Sequence, residues 1–329
     1  MKRPENPLPK KLLWTDGLAV GYKVGGVDNR LLDNLNLAIH QGELVCFMGP
    51  NGIGKSTLIR TLAQLQLPIK GSVHTSQKEI VTGIEKNISL VLTDRITAVN
   101  MTVQELVTYG RYPYLDWNLK LTATDINIIH QAIAQTHIGN LAQKRLYELS
   151  DGQMQMAMIA RALAQDTPLL LLDEPTAHLD LNNRVEIMNL LRNLAHYSGK
   201  GILVATHELD LALQTADTIW LAGKNKNILT GIPEDMVLNG AFDDIFQFKG
   251  FDLKTGKVFH QAWRNVSVAL EGEGHEYLWT KNALERSGYS VDPTAPIAIR
   301  IMHHENQVEW IVHDRVFNSL QAMLKTLSP

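Results

Sequence analysis

The run Gly49-Pro50-Asn51-Gly52-Ile53-Gly54-Lys55-Ser56-Thr57 follows the apolar segment Glu43–Met48 and opens a helical pattern near Lys55. No other feature limits the fold so tightly. It fits G-x-x-x-x-G-K-[ST] in the strand-to-helix setting where that pattern has chemical meaning. Its glycines let the backbone curve until several N–H groups aim at one point, and the following helix adds the positive end of its dipole. Phosphate oxygens match such a concave, donor-lined loop. Lys55 supplies a movable charge for β- and γ-phosphates, and the Ser56 hydroxyl is suited to magnesium.

A second strand end completes that chemistry. Leu169–Leu172 is a short buried strand by pattern, and Asp173 and Glu174 stand at its end. Asp173 is placed to meet magnesium directly or through water, and Glu174, one residue on, to polarise a water attacking the γ-phosphate. Alone, LLLLDEPT reads more readily as a strand followed by an acidic turn; the phosphate loop shifts the reading to a magnesium-and-water site. His207 follows the apolar strand Ile202–Thr206, where it can orient that water or touch the γ-phosphate.

Around these motifs the chain alternates strand and helix. Leu12–Tyr22 and Leu32–Ile39 read as strands, and Ser150–Ala164 and a segment through Val185, Met188 and Leu191 read as helices. Ile126, Ile129 and Ile133, behind a capping box at Thr122 and Asp125, mark a further helical face. The expected class is therefore α/β, with residues 1–248 forming a layered nucleotide-type domain interrupted by a helical insertion at about 100–165. Residues 249–329 carry their own strand and helix patterns and predict a small C-terminal α/β domain. There His303, His304, Glu305 and His313 are a weak metal pattern, better read as a polar turn between strands.

With 329 residues, 45% of them hydrophobic, the chain can bury its cores without crosslinks, and its single cysteine excludes an internal disulfide. Lys and Arg number 31 against 34 Asp and Glu, which excludes a polycation-driven nucleic-acid binder, so nucleic acid is not an expected partner. No apolar run reaches membrane-span length, and the prolines of the N-terminal segment do not make a signal-peptide core. A membrane role must come through a partner.

At Leu149-Ser150-Asp151-Gly152-Gln153 the combined motifs resemble the ATP-binding subunit of an ABC transporter, over roughly Leu12 to Phe246. The resemblance implies a P-loop ABC ATPase fold using ATP and Mg2+. It makes Tyr22, which alone reads as a core strand residue, the adenine-stacking aromatic, and Gly49 to Thr57 the phosphate loop. Ser150, Gly152 and Gln153 become the signature that caps ATP held by a second copy, although Ser150 and Gln153 also make an ordinary capping box. Asp173 and Ser56 hold magnesium, Glu174 is the catalytic base and His207 the switch histidine. Asp180, in Ala177-His178-Leu179-Asp180, communicates across the dimer. Two positions depart from the family: Asp151 replaces a glycine, and Thr93, a candidate magnesium ligand, stands where a longer glutamine is usual.

Thr102-Val103-Gln104-Glu105-Leu106 through Gly110-Arg111-Tyr112-Pro113-Tyr114 resembles the corresponding segment of iron-siderophore, haem and vitamin B12 importer ATPases. That resemblance implies import driven through an integral membrane permease, with a substrate-binding protein upstream and the subunit on the cytoplasmic face of the inner membrane. It makes Arg111 a permease contact. A different class stays open: an ATP-gated structural, DNA-repair or ribosome-associated factor of the same superfamily. Such factors use a long coiled-coil insertion or two fused cassettes, and neither pattern is in this sequence.

Overall fold

Leu44–Met48, Leu169–Asp173 and Gly201–Ala205 are apolar almost without interruption, which suits strands covered on both faces of a parallel sheet. In the computed structural model they form the middle of a six-stranded sheet. The structure describes residues 9–76, 87–93, 100–246, 248, 251–254, 256–258, 262–304 and 307–327. The chain separates into two compact units, Met1–Gln247 and Phe248–Pro329.

The strands of the first unit are β1 (Lys11–Val24), β2 (Val27–Leu35), β3 (Ala38–His40), β4 (Leu44–Met48), β5 (Lys70–Thr75), β6 (Ile88–Val91), β7 (Leu169–Asp173), β8 (Gly201–Ala205), β9 (Thr218–Ala222) and β10 (Ile228–Gly231). Its helices are α1 (Lys55–Leu62), α2 (Val103–Thr108), α3 (Ala123–Gln135), α4 (Asp151–Ala164), α5 (Leu181–Ser198), α6 (Leu209–Thr215), α7 (Pro233–Leu238) and α8 (Ala241–Phe246). The main sheet runs β10-β9-β4-β8-β7-β6, parallel except for β10. Its register aligns the strand ends. Phe47 of β4 lies opposite Ala205 of β8, and Ala205 opposite Asp173 of β7, so three strands end level.

A second, antiparallel sheet is built on β1, with β2, β3 and β5 as partners. Leu13, Leu18, Leu32 and Ile39 from it share one core with Phe47, Leu58 and Ile59 beneath the phosphate loop. The single strand expected over Leu32–Ile39 is broken in two. Asn34 takes a left-handed φ of 53°, and the Thr15 hydroxyl fills the gap, donating to Leu35 O and accepting from Leu37 N, both at 2.9 Å.

In the insertion, α2 and α3 each begin with a capping box, Thr102 with Glu105 and Thr122 with Asp125. The expected stripe on α3 shifts by a residue. Ile126 is exposed, whereas Asp125, Ile129, Ala132 and Ile133 are buried. Asp125 turns inward because its carboxylate caps the helix and also pairs with Arg111.

The second unit contains β11 (Phe251–Asp252), β12 (Lys257–Val258), β13 (Ser267–Glu271), α9 (Gly274–Arg286), β14 (Ser290–Val291), β15 (Ile297–His304), β16 (Gln307–Val312), β17 (Arg315–Phe317) and α10 (Leu320–Leu327). β11 and β12 form a small antiparallel pair, and the other strands a sheet in the order β14-β13-β15-β16-β17. Val268, Leu284, Ile299, Trp310 and Met323 make a core of its own. Glu305 lies outside the described residues, and among those described no group of three or more His, Cys, Asp or Glu is placed to hold a metal ion.

Within that core Trp310 Nε1 donates to Thr280 Oγ1 at 2.7 Å, with Thr280 fully buried. Thr280→Val keeps the shape but strands a buried indole N–H. It is expected to lower the stability of this unit by about 1–3 kcal/mol, read from the urea midpoint against the wild-type chain.

Candidate active site

The level strand ends place three loops side by side. After β4 the chain turns at Gly49, whose φ of 156° and a clash of 2.9 Å between any added Cβ and Ala222 together require glycine. The loop ends at Lys55, so the first N–H groups of α1, at Lys55, Ser56 and Thr57, have no partner within the helix and face outward along its axis. Lys55 is folded back over the loop: Nζ donates to Gly49 O at 3.0 Å and sits 3.9 Å from Glu174 Oε1. A buried ammonium held by carbonyl oxygens over a ring of N–H donors is placed for phosphate. Tyr22, half exposed, has its hydroxyl 2.7 Å from Thr57 Oγ1, which fixes the ring beside the loop with a face left open.

At the end of β7 Asp173 is only 4% exposed, yet its Oδ1 has no hydrogen-bond partner. Burial pushes its carboxyl above the usual carboxylate range, while a hydrogen bond from Ser56 works the other way and the Glu174 charge adds to the rise. An orphaned carboxylate oxygen beside a serine hydroxyl is a hard-oxygen pair fit for Mg2+, which takes one or two such groups and completes its shell with phosphates and water. Glu174 has a left-handed φ of 51°, and its N–H donates to Ala205 O at 2.9 Å. Its Oε2 lies 2.6 Å from His207 Nδ1. His207 Nε2 in turn is 3.6 Å from Glu208, which Arg184 pairs at 2.8 Å. The carboxylate is therefore held at both oxygens, one towards Lys55 and one by His207, so it can orient a water but cannot swing away. Thr93 donates its hydroxyl to Asp173 O at 3.0 Å, tying it to the end of the acidic strand with its lone pairs left over.

Ser150 caps α4, with Gln153 returning the bond to Ser150 N, and Asp151 is exposed in the first turn. Asp180 caps α5 by accepting from Asn183 N at 2.9 Å, and Asn183 Nδ2 donates to its other oxygen at 2.9 Å. The two helix starts touch. A Cβ on Gly152 would lie 2.7 Å from the Asn183 side-chain carbon and oxygen, so a glycine is needed for α4 to seat against α5. A cavity of about 250 Å3, with Thr93, Asp151, Glu174 and His178 in its wall, joins this junction to the acidic strand end. Asn183 and Arg184 were not marked by any sequence motif; the only available signal was helix-start spacing after Asp180.

Arg111 requires a correction. It is 5% exposed, its Nε donating to Asp125 at 2.8 Å, another guanidinium nitrogen to Ala164 O at 3.0 Å, and its face covering the Tyr114 ring. A guanidinium already enclosed by a carboxylate, a carbonyl and a ring does not face a partner. What the same segment does expose is aromatic. Tyr109 and Tyr112 stack on each other at 5.5 Å and, with Leu115, Leu119 and Leu121, border a groove of about 580 Å3.

The Asp173 carboxyl gives a stability test. Because it holds its proton more tightly in the native state than in the unfolded chain, its favourable contribution is full below the ordinary value of 3.8 and falls as pH rises through the raised native pKa. Burial and the neighbouring Glu174 charge oppose its charged form, and Ser56, Arg60 and Lys55 offset only part of that. Asp173→Asn is expected to raise the melting temperature of the metal-free, nucleotide-free protein and to abolish the further rise that Mg2+ and ATP give the wild type. Calorimetry with and without Mg2+ and ATP checks both signs.

Comparison with known proteins accords with this geometry. The ABC transporter family model matches residues 32–177, and an iron ABC transporter C-terminal domain model matches residues 265–328. A petrobactin import ATP-binding protein of Bacillus anthracis is 35% identical over 245 residues, covering 73% of this chain and 88% of its own length. A cobalamin import ATP-binding protein of Halobacterium salinarum is 33% identical over 300 residues, covering 87% and 74%. The structure of a dimeric bacterial ABC transporter cassette superposes with a TM-score of 0.57 at 27% identity, covering 68% of this chain and 99% of that one. With a phosphate loop, an acidic strand end and a histidine on three level strands, the chain belongs to the ABC transporter ATP-binding family and is an ABC-type ATPase.

Proposed function

We propose that this chain energises an ABC importer for an iron-siderophore, haem or cobalamin-type complex, two copies closing on ATP and driving an integral permease. The observation that carries the reading is the meeting of Lys55, Asp173, Glu174 and His207 at the ends of adjacent strands, with one oxygen of Asp173 left for a cation. Gly49 to Thr57 (Gly49, Pro50, Asn51, Gly52, Ile53, Gly54, Lys55, Ser56 and Thr57) wrap the phosphates, and the open face of Tyr22 receives the adenine. Ser56 and Asp173 hold Mg2+, which when bound offsets negative charge on the β- and γ-phosphates. Thr93, hydrogen-bonded at the end of that strand, is close enough in the fold to sense changes at Asp173. Glu174 takes the proton of the attacking water, and His207 keeps its carboxylate oriented.

The second copy supplies the other half of the site. Ser150, Gly152 and Gln153 open a helix whose N-terminal end carries the positive end of the dipole and suits the γ-phosphate of ATP bound to the partner. Asp151 puts a carboxylate at the same helix start, which lowers the attraction of that end for phosphate relative to a glycine there. Asp180, through Asn183, ties this helix start to α5, so closure on the partner's nucleotide moves both together. Nucleotide contacts that exist only in the closed pair favour closure, and hydrolysis removes them.

Substrate class follows the relatives, whose names cite petrobactin and cobalamin import, while the C-terminal family favours an iron complex. No described helix is long and apolar enough to cross a membrane. On this reading the permease holds the subunit on the cytoplasmic face of the inner membrane, with a substrate-binding protein delivering the cargo. The Tyr109–Tyr112 groove, rather than Arg111, is the permease contact on this reading. Residues 1–248 are the ATPase domain and 249–329 an accessory domain.

Glu174→Gln keeps the shape of the site and removes the base. Phosphate release is expected to fall by roughly 100-fold or more, while sedimentation shows an ATP- and Mg2+-dependent rise in mass towards a dimer. Unchanged turnover would remove Glu174 from the reaction. In liposomes carrying the matched permease and binding protein, Tyr112→Ala is expected to lower uptake and permease-stimulated hydrolysis together while basal hydrolysis is kept. Full uptake would place the permease elsewhere.

A further inference from the structure

The C-terminal unit carries a groove that the nucleotide site does not use. A space of about 650 Å3 lies between α9 and α10, with Trp279, Asn282 and Arg286 on one wall and Gln321, Leu324 and Lys325 on the other. Its volume is that of a small-molecule pocket. Trp279, Asn282 and Arg286 recur at helical spacing on one face of α9, while Thr280 and Leu284 turn to the core. On α10 Met323 is the buried residue, so the groove lies outside the core rather than as a gap within it.

Its chemistry is selective. Trp279 is 67% exposed, although an indole is among the largest apolar surfaces a side chain can offer. Arg286 and Lys325 have no ion-pair partner among the described residues, and no residue lining the groove is acidic. The neighbouring carboxylate of Glu285 is already 3.7 Å from Lys281. Acidic and basic residues balance over 248–329, so two cations without a counterion here reflect arrangement, not composition. Asn282 and Gln321 add amide donors and acceptors that can fix a ligand's orientation.

We propose that this groove binds an anionic aromatic small molecule, its ring against Trp279 and its acid group met by Arg286 and Lys325. An inorganic anion would leave the indole unused. An apolar protein surface, including a second copy of this chain, would strip water from two cations and return nothing to them. A planar ring bearing a carboxylate satisfies both halves: the indole gains stacking and apolar contact, and the cations gain charge-assisted hydrogen bonds.

The test titrates salicylate into the full chain, without nucleotide, by calorimetry. Saturable binding is expected, with benzyl alcohol and inorganic phosphate each at least ~tenfold weaker, since each lacks one half of the recognition. Trp279→Ala and Arg286→Ala should each weaken salicylate by about tenfold, and Trp279→Phe should keep most of the affinity. Both side chains lie outside the core, and the urea midpoint of the C-terminal unit in the same variants, expected to stay near wild type, reports that this unit is folded, while ATP hydrolysis stays within about twofold because the nucleotide site lies in the other unit. The proposal is overturned by an absence of saturable binding, by salicylate affinity indifferent to both alanine variants, or by phosphate binding as tightly as salicylate. Sedimentation adds one more outcome: a dimer that forms without nucleotide and is lost in Trp279→Ala would give the groove to a second copy and overturn the small-molecule assignment.

Discussion

Everything at the nucleotide site depends on the parallel register that sets Phe47, Ala205 and Asp173 in one row. The strands that hold this row, β4, β7 and β8, are buried along their whole length, so their pairing is fixed by the covered sheet as well as by hydrogen bonds. A slip of one residue in β7 would exchange its faces and carry Asp173 and Glu174 about 3.3 Å along the strand. Lys55 is 3.9 Å from Glu174, and His207 2.6 Å from it, so a slip of that size breaks both contacts. Loop residues hold the chemistry, but strand register measures out the distances between them.

That register places an unfavourable group on purpose. Asp173 is buried, short of one hydrogen bond and next to another carboxylate, all of which oppose its charge. Lys55 and Arg60 offset part of this, yet the unpaired oxygen remains. The protein without ligand is thus less stable at this point than it could be, and the unmet oxygen is the one the proposed function gives to a divalent cation. Lys55 lies over the same loop with its donors taken up by Gly49 O, Pro50 O and Glu174, which on the proposed function give way to phosphate oxygens.

The sequence disclosed most of this because the decisive features are local. A glycine-rich loop between strand and helix, an acidic pair ending an apolar run and a histidine ending another are legible at short range, and each falls at a strand end in the structure. What could not be read is what depends on distant partners. Arg111 looked like an exposed cation because its carboxylate, Asp125, appeared only as a helix cap, and because Ala164 O is supplied by another helix end. Asn183 gave no signal, since its contact with Gly152 exists only once α4 and α5 are packed. The break between β2 and β3 was hidden for a similar reason: Thr15, which mends it, sits about twenty residues earlier in the chain.

The burial of Arg111 also changes how the two ends of the insertion are related. α4 starts at Ser150, where Gly152 seats against Asn183, and ends at Ala164, whose carbonyl accepts from Arg111. Its 14 residues make a rod about 21 Å long, with no proline to bend it. Arg111 therefore fastens the turn bearing Tyr109 and Tyr112 to the far end of the helix whose near end is capped by Ser150. Arg161 and Gln165 add ties from the same helix end to Leu90 O and Ile88 O of β6, the strand that leads to Thr93. If the partner's ATP draws the near end of α4, a stiff helix clamped by Arg111 delivers that displacement to the tyrosine groove, whereas an exposed arginine at the surface could only have felt it. A buried cation in this position joins the groove to the rod rather than to the solvent.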